Sequence, residues 1–158
     1  MSPSFDEYLN NPSLQYKHRG IALTASSYKK VDHGLTDKDT SCKLATYGDA
    51  LLKLALCKIL FDNKVENITV VKQEYEKDEV LVKVIARHYN LLDKINFDKH
   101  DKNIPQNYEY EGDKHKYIAT AVEALLAAYY LDNEENFELI VAVAEEWKKL
   151  IDETKTQT

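Results

Sequence analysis

Two stretches of the chain are apolar far beyond what one helix face needs. From Leu51 to Phe61 only Lys53 and Lys58 are polar, and the pattern reads as a helix over about Cys42 to Phe61, broken by Asp62-Asn63. A helix apolar nearly all round belongs in the interior of a domain. The second stretch, Tyr117 to Leu131, has the same design, with Glu123 its only charge. A third segment repeats with helical period: Phe137, Ile140, Val141, Ala144, Trp147 and Ile151 share one face, while Glu145-Glu146 and Lys148-Lys149 share the other. Between these, Ile68 to Val71 has the β-branched composition of a strand. However, Val71, Tyr75, Val80, Leu81, Val84 and Ile85 keep helical spacing, which predicts one or two helices over about Val70 to His88. Phe5, Tyr8 and Leu9 mark a short N-terminal helix that Asn10-Asn11-Pro12 ends, and Arg19 to Tyr28 reads as another short helix and its exit. Lys29–Ser41 and Asp98–Asp113 read as exposed loops, with a short connecting helix or turn over Asn90–Phe97. The expected class is all-α.

Composition narrows this picture. Four glycines and three prolines among 158 residues disfavour a turn-rich β architecture and suit helices. That length is close to the commonest size of a single domain, and no repeat or linker divides it. The formal net charge of −6 argues mildly against strong non-specific nucleic-acid binding, which needs Lys and Arg against phosphate. Acids gathered round a metal would lower that total without removing a basic rim. Cys42 and Cys57 lack metal-ligand spacing and lie far apart along one helix, so they are expected as two reduced thiols of a cytoplasmic protein. No apolar run is long enough for a membrane span, and the N-terminus does not read as a signal peptide.

The chemistry sits on the apolar helices. Asp49 stands at the head of the first and Glu123 within the second, with no Lys or Arg at helical spacing beside Glu123. A buried carboxylate costs several kcal/mol unless a positive group meets it (roughly that, after relaxation). A shared cation would meet both. A structural reading stands beside this: Asp49 as a helix N-cap, and Glu123 facing solvent or pairing with a distant lysine. His33, and the pair His100 and Asp101, fall in loops and are expected to be solvated.

The order of the pieces resembles the ribonuclease III family. Ala22-Leu23-Thr24-Ala25-Ser26-Ser27-Tyr28 is similar to its "ALTHxSY" motif, and Lys43-Leu44-Ala45-Thr46-Tyr47-Gly48-Asp49-Ala50-Leu51-Leu52 to its signature "RLEFLGDAVL". Ile68-Thr69-Val70-Val71-Lys72, with Leu81 and Val84, resembles "LTxxR…L..I". The run Thr120 to Asp132 resembles "DxFEALIGAIYLD". The likeness extends from about Ile21 to Trp147.

The resemblance implies a dimeric all-α endonuclease domain of about six to seven helices. Residues 1–20 would form an N-terminal arm or short helix, 21–151 the domain, and 152–158 a tail. It makes Asp49 and Glu123 the catalytic acids and the ligands of Mg²⁺, with Mn²⁺ as a substitute, for hydrolysis of double-stranded RNA. Hard oxygen ligands suit that ion. The sequence also departs from the pattern. Ala45 stands where the usual glutamate precedes the aspartate, and Thr120 where the usual aspartate precedes the glutamate. The glutamate that opens the "EGxLT" motif falls at Val65, beside Glu66. Minimal members of the family that lack a double-stranded-RNA-binding domain carry "LAYxGDA" and "STAFEAL", with Ala and Thr in the same places. Two functions are therefore open: an endoribonuclease acting on structured RNA, or a catalytically inactive family member serving as an RNA-binding or scaffold dimer.

Overall fold

A computed structural model describes residues 2–12 and 15–157. Among the described residues there are seven α-helices: α1 (Phe5–Asn10), α2 (Arg19–Ala22), α3 (Cys42–Asp62), α4 (Ile68–Glu76), α5 (Asp78–Val80), α6 (Lys116–Asp132) and α7 (Phe137–Thr156). A π-helical stretch, Leu81–Ala86, continues α5. Among the described residues there is no strand; a single parallel bridge joins Thr24 to Asn96. The all-α class holds, and so does the preference for helix over strand at Ile68–Glu76.

The most buried helix is α6, in which Ile118, Ala119, Ala121, Val122, Ala124 to Ala128 and Tyr129 are all enclosed. Its partner α3 is not enclosed on every side, contrary to the expectation from its composition. Ala45, Gly48, Leu52, Leu56 and Ile59 face the core, whereas Tyr47, Leu54 and Phe61 stay 43%, 58% and 73% exposed. Nor is Asp49 a cap: the helix starts at Cys42, so Asp49 lies two turns inside it.

α3 and α6 form the most extensive helix pair of the fold. A glycine sets their separation. A Cβ added at Gly48 would lie 1.7 Å from the carbonyl oxygen of Glu123 and 2.5 Å from its carbonyl carbon. Only the missing side chain lets the two backbones touch there.

The N-terminal helix is part of the same core. The Phe5 ring lies 5.2 Å from Tyr89, 5.3 Å from Tyr129 and 5.7 Å from Trp147. Asp132, at the end of α6, fixes the chain between α1 and α2. It accepts a 2.7 Å hydrogen bond from the Tyr8 hydroxyl, pairs with His18 Nδ1 at 2.7 Å, and accepts from the backbone N–H of Arg19 at 3.2 Å. The expected breaker at the end of α6 is thus also an anchor. Arg19 in turn donates to the carbonyls of Tyr8 and Asn11.

The loop before α6 is knitted onto it. His115 is buried, accepts from the Glu111 N–H at Nδ1 (3.0 Å) and donates from Nε2 to Asn107 (2.8 Å). Tyr117 donates to the Pro105 carbonyl at 2.6 Å. The last helix runs to Thr156, and near its end Asp152 accepts from Tyr75 (2.6 Å) and Lys148 (2.9 Å). On that helix Val143, rather than Val141, is fully buried.

Gly48→Ala is expected to destabilise by roughly 3 kcal/mol, the upper end of overpacking, because backbone cannot step aside as a side chain would. Gly20→Ala, with nothing within 4 Å of the added carbon, should be neutral or mildly stabilising. Urea titration of both variants checks the contrast.

Candidate active site

The close approach of α3 and α6 also assembles the chemistry. Asp49 follows Gly48, and Gly48 touches the backbone of Glu123, so the two acids are brought face to face and perturb each other's charge. Both lie in the wall of one open cavity of about 410 Å³, together with Cys42, Ala45, Thr46, Asp78, Lys116 and Thr120. The two departure positions, Ala45 and Thr120, therefore look into the space that Asp49 and Glu123 enclose. A second opening, of about 370 Å³, adjoins it and is lined by Asp49, Lys53, Gln73, Glu76, Lys77 and Asp78. Among the described residues no three His, Cys, Asp or Glu side chains gather within reach of one metal ion. His33 and His100 are exposed in their loops.

The pair's charge state follows from where it sits. Burial comes first for Glu123, followed by the adjoining Asp49 carboxylate and the more distant charge of Asp78; together they push its carboxyl up to about 8. Near neutral pH Glu123 thus carries a proton. Burial opposes charge on Asp49 too. The Lys53 ammonium, the neighbouring protonated Glu123 and the more distant Lys72 outweigh it and hold Asp49 below the ordinary carboxylate range. Two like acids in contact do not both ionise readily, and their environments separate them.

Lys53 is the residue that the sequence reading passed over. It lies one turn beyond Asp49 on α3 and its Nζ sits 2.8 Å from Asp49 Oδ2. The i,i+4 spacing of an acid and a lysine was the available signal. Asp78, at the start of α5, and Lys116, at the start of α6, are further polar walls brought in only by folding.

A family model of the ribonuclease III domain matches residues 43–134, more than half of the chain. The chain belongs to the ribonuclease III family. The ribonuclease III domain so matched contains α3 and α6 with Asp49 and Glu123. The nuclease domain of ribonuclease III from Campylobacter jejuni aligns with 95% of this chain and 93% of its own at 22% identity and a TM-score of 0.66. A second structure of that domain aligns over 90% and 92%, at 21% identity and a TM-score of 0.66. It is described for structural flexibility in a region involved in dimer formation. At these identities the likeness is one of fold.

The acid pair makes the metal-free protein pH-sensitive. The Glu123 carboxyl is raised in the folded state from an ordinary value of 4.5, so the folded form holds a proton that the unfolded chain releases. That contribution is fully present below about 4.5 and is lost as pH rises toward 8. Asp49 acts oppositely, its contribution being lost only on acidification below 3.8. Urea unfolding in chelator should therefore show stability falling from about pH 5 to 8 in wild type and a flatter profile in Glu123→Gln. Equal slopes in the two proteins would mean that Glu123 is ordinarily ionised.

Proposed function

We propose that this protein is an endoribonuclease that hydrolyses double-stranded RNA with Mg²⁺, or with Mn²⁺ in its place. The observation that carries the reading is the convergence of Asp49 and Glu123 from two helices onto one open cavity within the family's matched region. The donor set fits the ion. Mg²⁺ is commonly held by one or two carboxylates, with waters and phosphate oxygens completing its shell, and the converging Asp49 and Glu123 supply two, with Asp78 a third acid in the same wall. Asp49 and Glu123 would hold it, Glu123 after giving up its proton. Bound there, the ion would supply a hydroxide nucleophile and offset charge on the phosphodiester.

The chain's own groups do the rest. Asp49, already ionised, supplies the first negative oxygen. Glu123 holds a proton at its carboxyl oxygen until the site is loaded. Lys116 in the same wall, with Lys53 and Lys77 in the adjoining one, gives an otherwise acidic protein positive charge where RNA phosphates must lie. Ala45 and Thr120 leave room in the cavity that longer acids would fill.

A homodimer is part of this reading. Tyr47, Ala50, Leu54, Cys57 and Phe61 recur along α3 at spacings of three and four, and Tyr47, Leu54 and Phe61 are all well exposed. The Tyr130 ring from α6 lies 5.9 Å from that of Tyr47 and extends the stripe. An apolar stripe of this kind on a charged protein marks an interface, and a two-fold pairing would use the same stripe on both copies.

The replacement of two acids by Ala45 and Thr120 favours a second reading, an inactive family member that binds RNA or acts as a scaffold. Incubation with a long RNA duplex and Mg²⁺ or Mn²⁺ separates the two. Wild type should cut it, and Asp49→Asn and Glu123→Gln should each lose at least about a hundredfold in rate, more than outer-shell changes cost a metal enzyme. A wild type that binds the duplex without cutting it would establish the scaffold. Sedimentation at micromolar concentration should give a dimer for wild type and a folded monomer for Leu54→Glu/Phe61→Glu. A monomeric wild type would remove the dimer from the reading.

A further inference from the structure

Asp49 already has a cation. The Lys53 ammonium sits 2.8 Å from its Oδ2, one helical turn along α3, with both side chains about half-exposed in the adjoining cavity. Glu123 lies in the same cavity wall as Asp49. The positive charge beside Asp49 is therefore supplied from within the chain. Of the neighbouring cations, Lys72 is committed elsewhere: it pairs with Glu76 at 3.0 Å, with both side chains largely buried. The Lys53 ammonium, by contrast, is on a flexible stem at the mouth of the cavity and can swing out to solvent or to a phosphate.

We infer that Lys53 is a positioning residue that stands in for the divalent ion, holding Asp49 in the free protein and being displaced from it when metal binds. This rests on the reading of Asp49 as a metal ligand. Its consequence is an ordered loading of the site. A divalent ion entering alone must break the Lys53–Asp49 pair and is held weakly. An RNA phosphate offers the ammonium another anion, leaves Asp49 Oδ2 open, and so favours metal. By reciprocity, metal favours RNA by the same factor. The residue acts through Asp49 and touches no reacting atom.

The test is titration of Mn²⁺ into the RNA-free protein, followed by the electron paramagnetic resonance signal of the free ion. Lys53→Met keeps the length of the stem and removes the ammonium; it should bind Mn²⁺ roughly three- to fivefold more tightly than wild type, the size of a half-exposed ion pair no longer broken. Lys53→Arg, which restores the pair, should return to the wild-type affinity. Lys77→Met removes one positive charge from the same cavity but not from the Asp49 pair, and should change affinity by clearly less than Lys53→Met. Equal effects of Lys53→Met and Lys77→Met would reduce the role of Lys53 to general field and overturn the inference. So would unchanged or weaker binding in Lys53→Met, including a failure of both it and wild type to bind. The underlying reading is judged separately, by whether Asp49→Asn abolishes Mn²⁺-dependent cleavage of the duplex. Retained cleavage there would remove Asp49 as a ligand, whatever the Lys53 variants do.

Discussion

The rest of the molecule depends on a contact with no side chain on one side of it. Gly48 of α3 lies against the backbone of Glu123 in α6 so closely that a single added carbon would overlap the carbonyl. Helices usually keep 8–10 Å between axes because side chains hold them apart; here that spacer is absent at one point. The contact draws the two most apolar helices of the chain together, and it places Asp49, the next residue on α3, opposite the Glu123 side chain. Core packing and the acid pair are thus set by the same contact.

From this contact α3 acquires three distinct sides. Ala45, Gly48, Leu52, Leu56 and Ile59 pack inward. Asp49 borders both openings and Lys53 one of them. Tyr47, Leu54 and Phe61 face outward. A helix apolar in composition is therefore not a helix buried on all sides. In a chain of this size, α6 takes the most enclosed position, its Ala121, Ala124, Ala127 and Ala128 allowing neighbours to approach from several directions.

The acid pair is kept by compensation. A carboxylate beside a carboxyl in a half-buried wall is unfavourable if both ionise. The chain answers with a proton on Glu123 and an ammonium beside Asp49. Both compensations are reversible, since a proton can leave and a lysine can turn away. A purely structural pair would be expected to be more deeply closed, in the manner of Lys72 with Glu76 or Asp132 with Tyr8 and His18.

The linear pattern of residues was enough for the all-α class and for the extents of α3, α6 and α7 to within a few residues, and it singled out two acids that folding places in one cavity wall. Hydrophobic period and helix breakers are local properties, and Asp49 and Glu123 stand out because each interrupts an apolar run. The motifs around Gly48-Asp49 and Glu123 also carried the family, because their order along the chain is itself sequence. Folding had to settle that Asp49 is two turns inside its helix, that α6 rather than α3 is the enclosed one, and that Ala45, Thr120, Asp78 and Lys116 share one cavity wall with the acids. It also gave the N-terminal helix its place in the aromatic core and Asp132 its role as an anchor for Tyr8 and His18. One cause accounts for all of these. Which side of an apolar helix stays open, and which distant groups face a given carboxylate, depend on how closely two backbones approach, and at Gly48 that distance was set by a partner far along the chain.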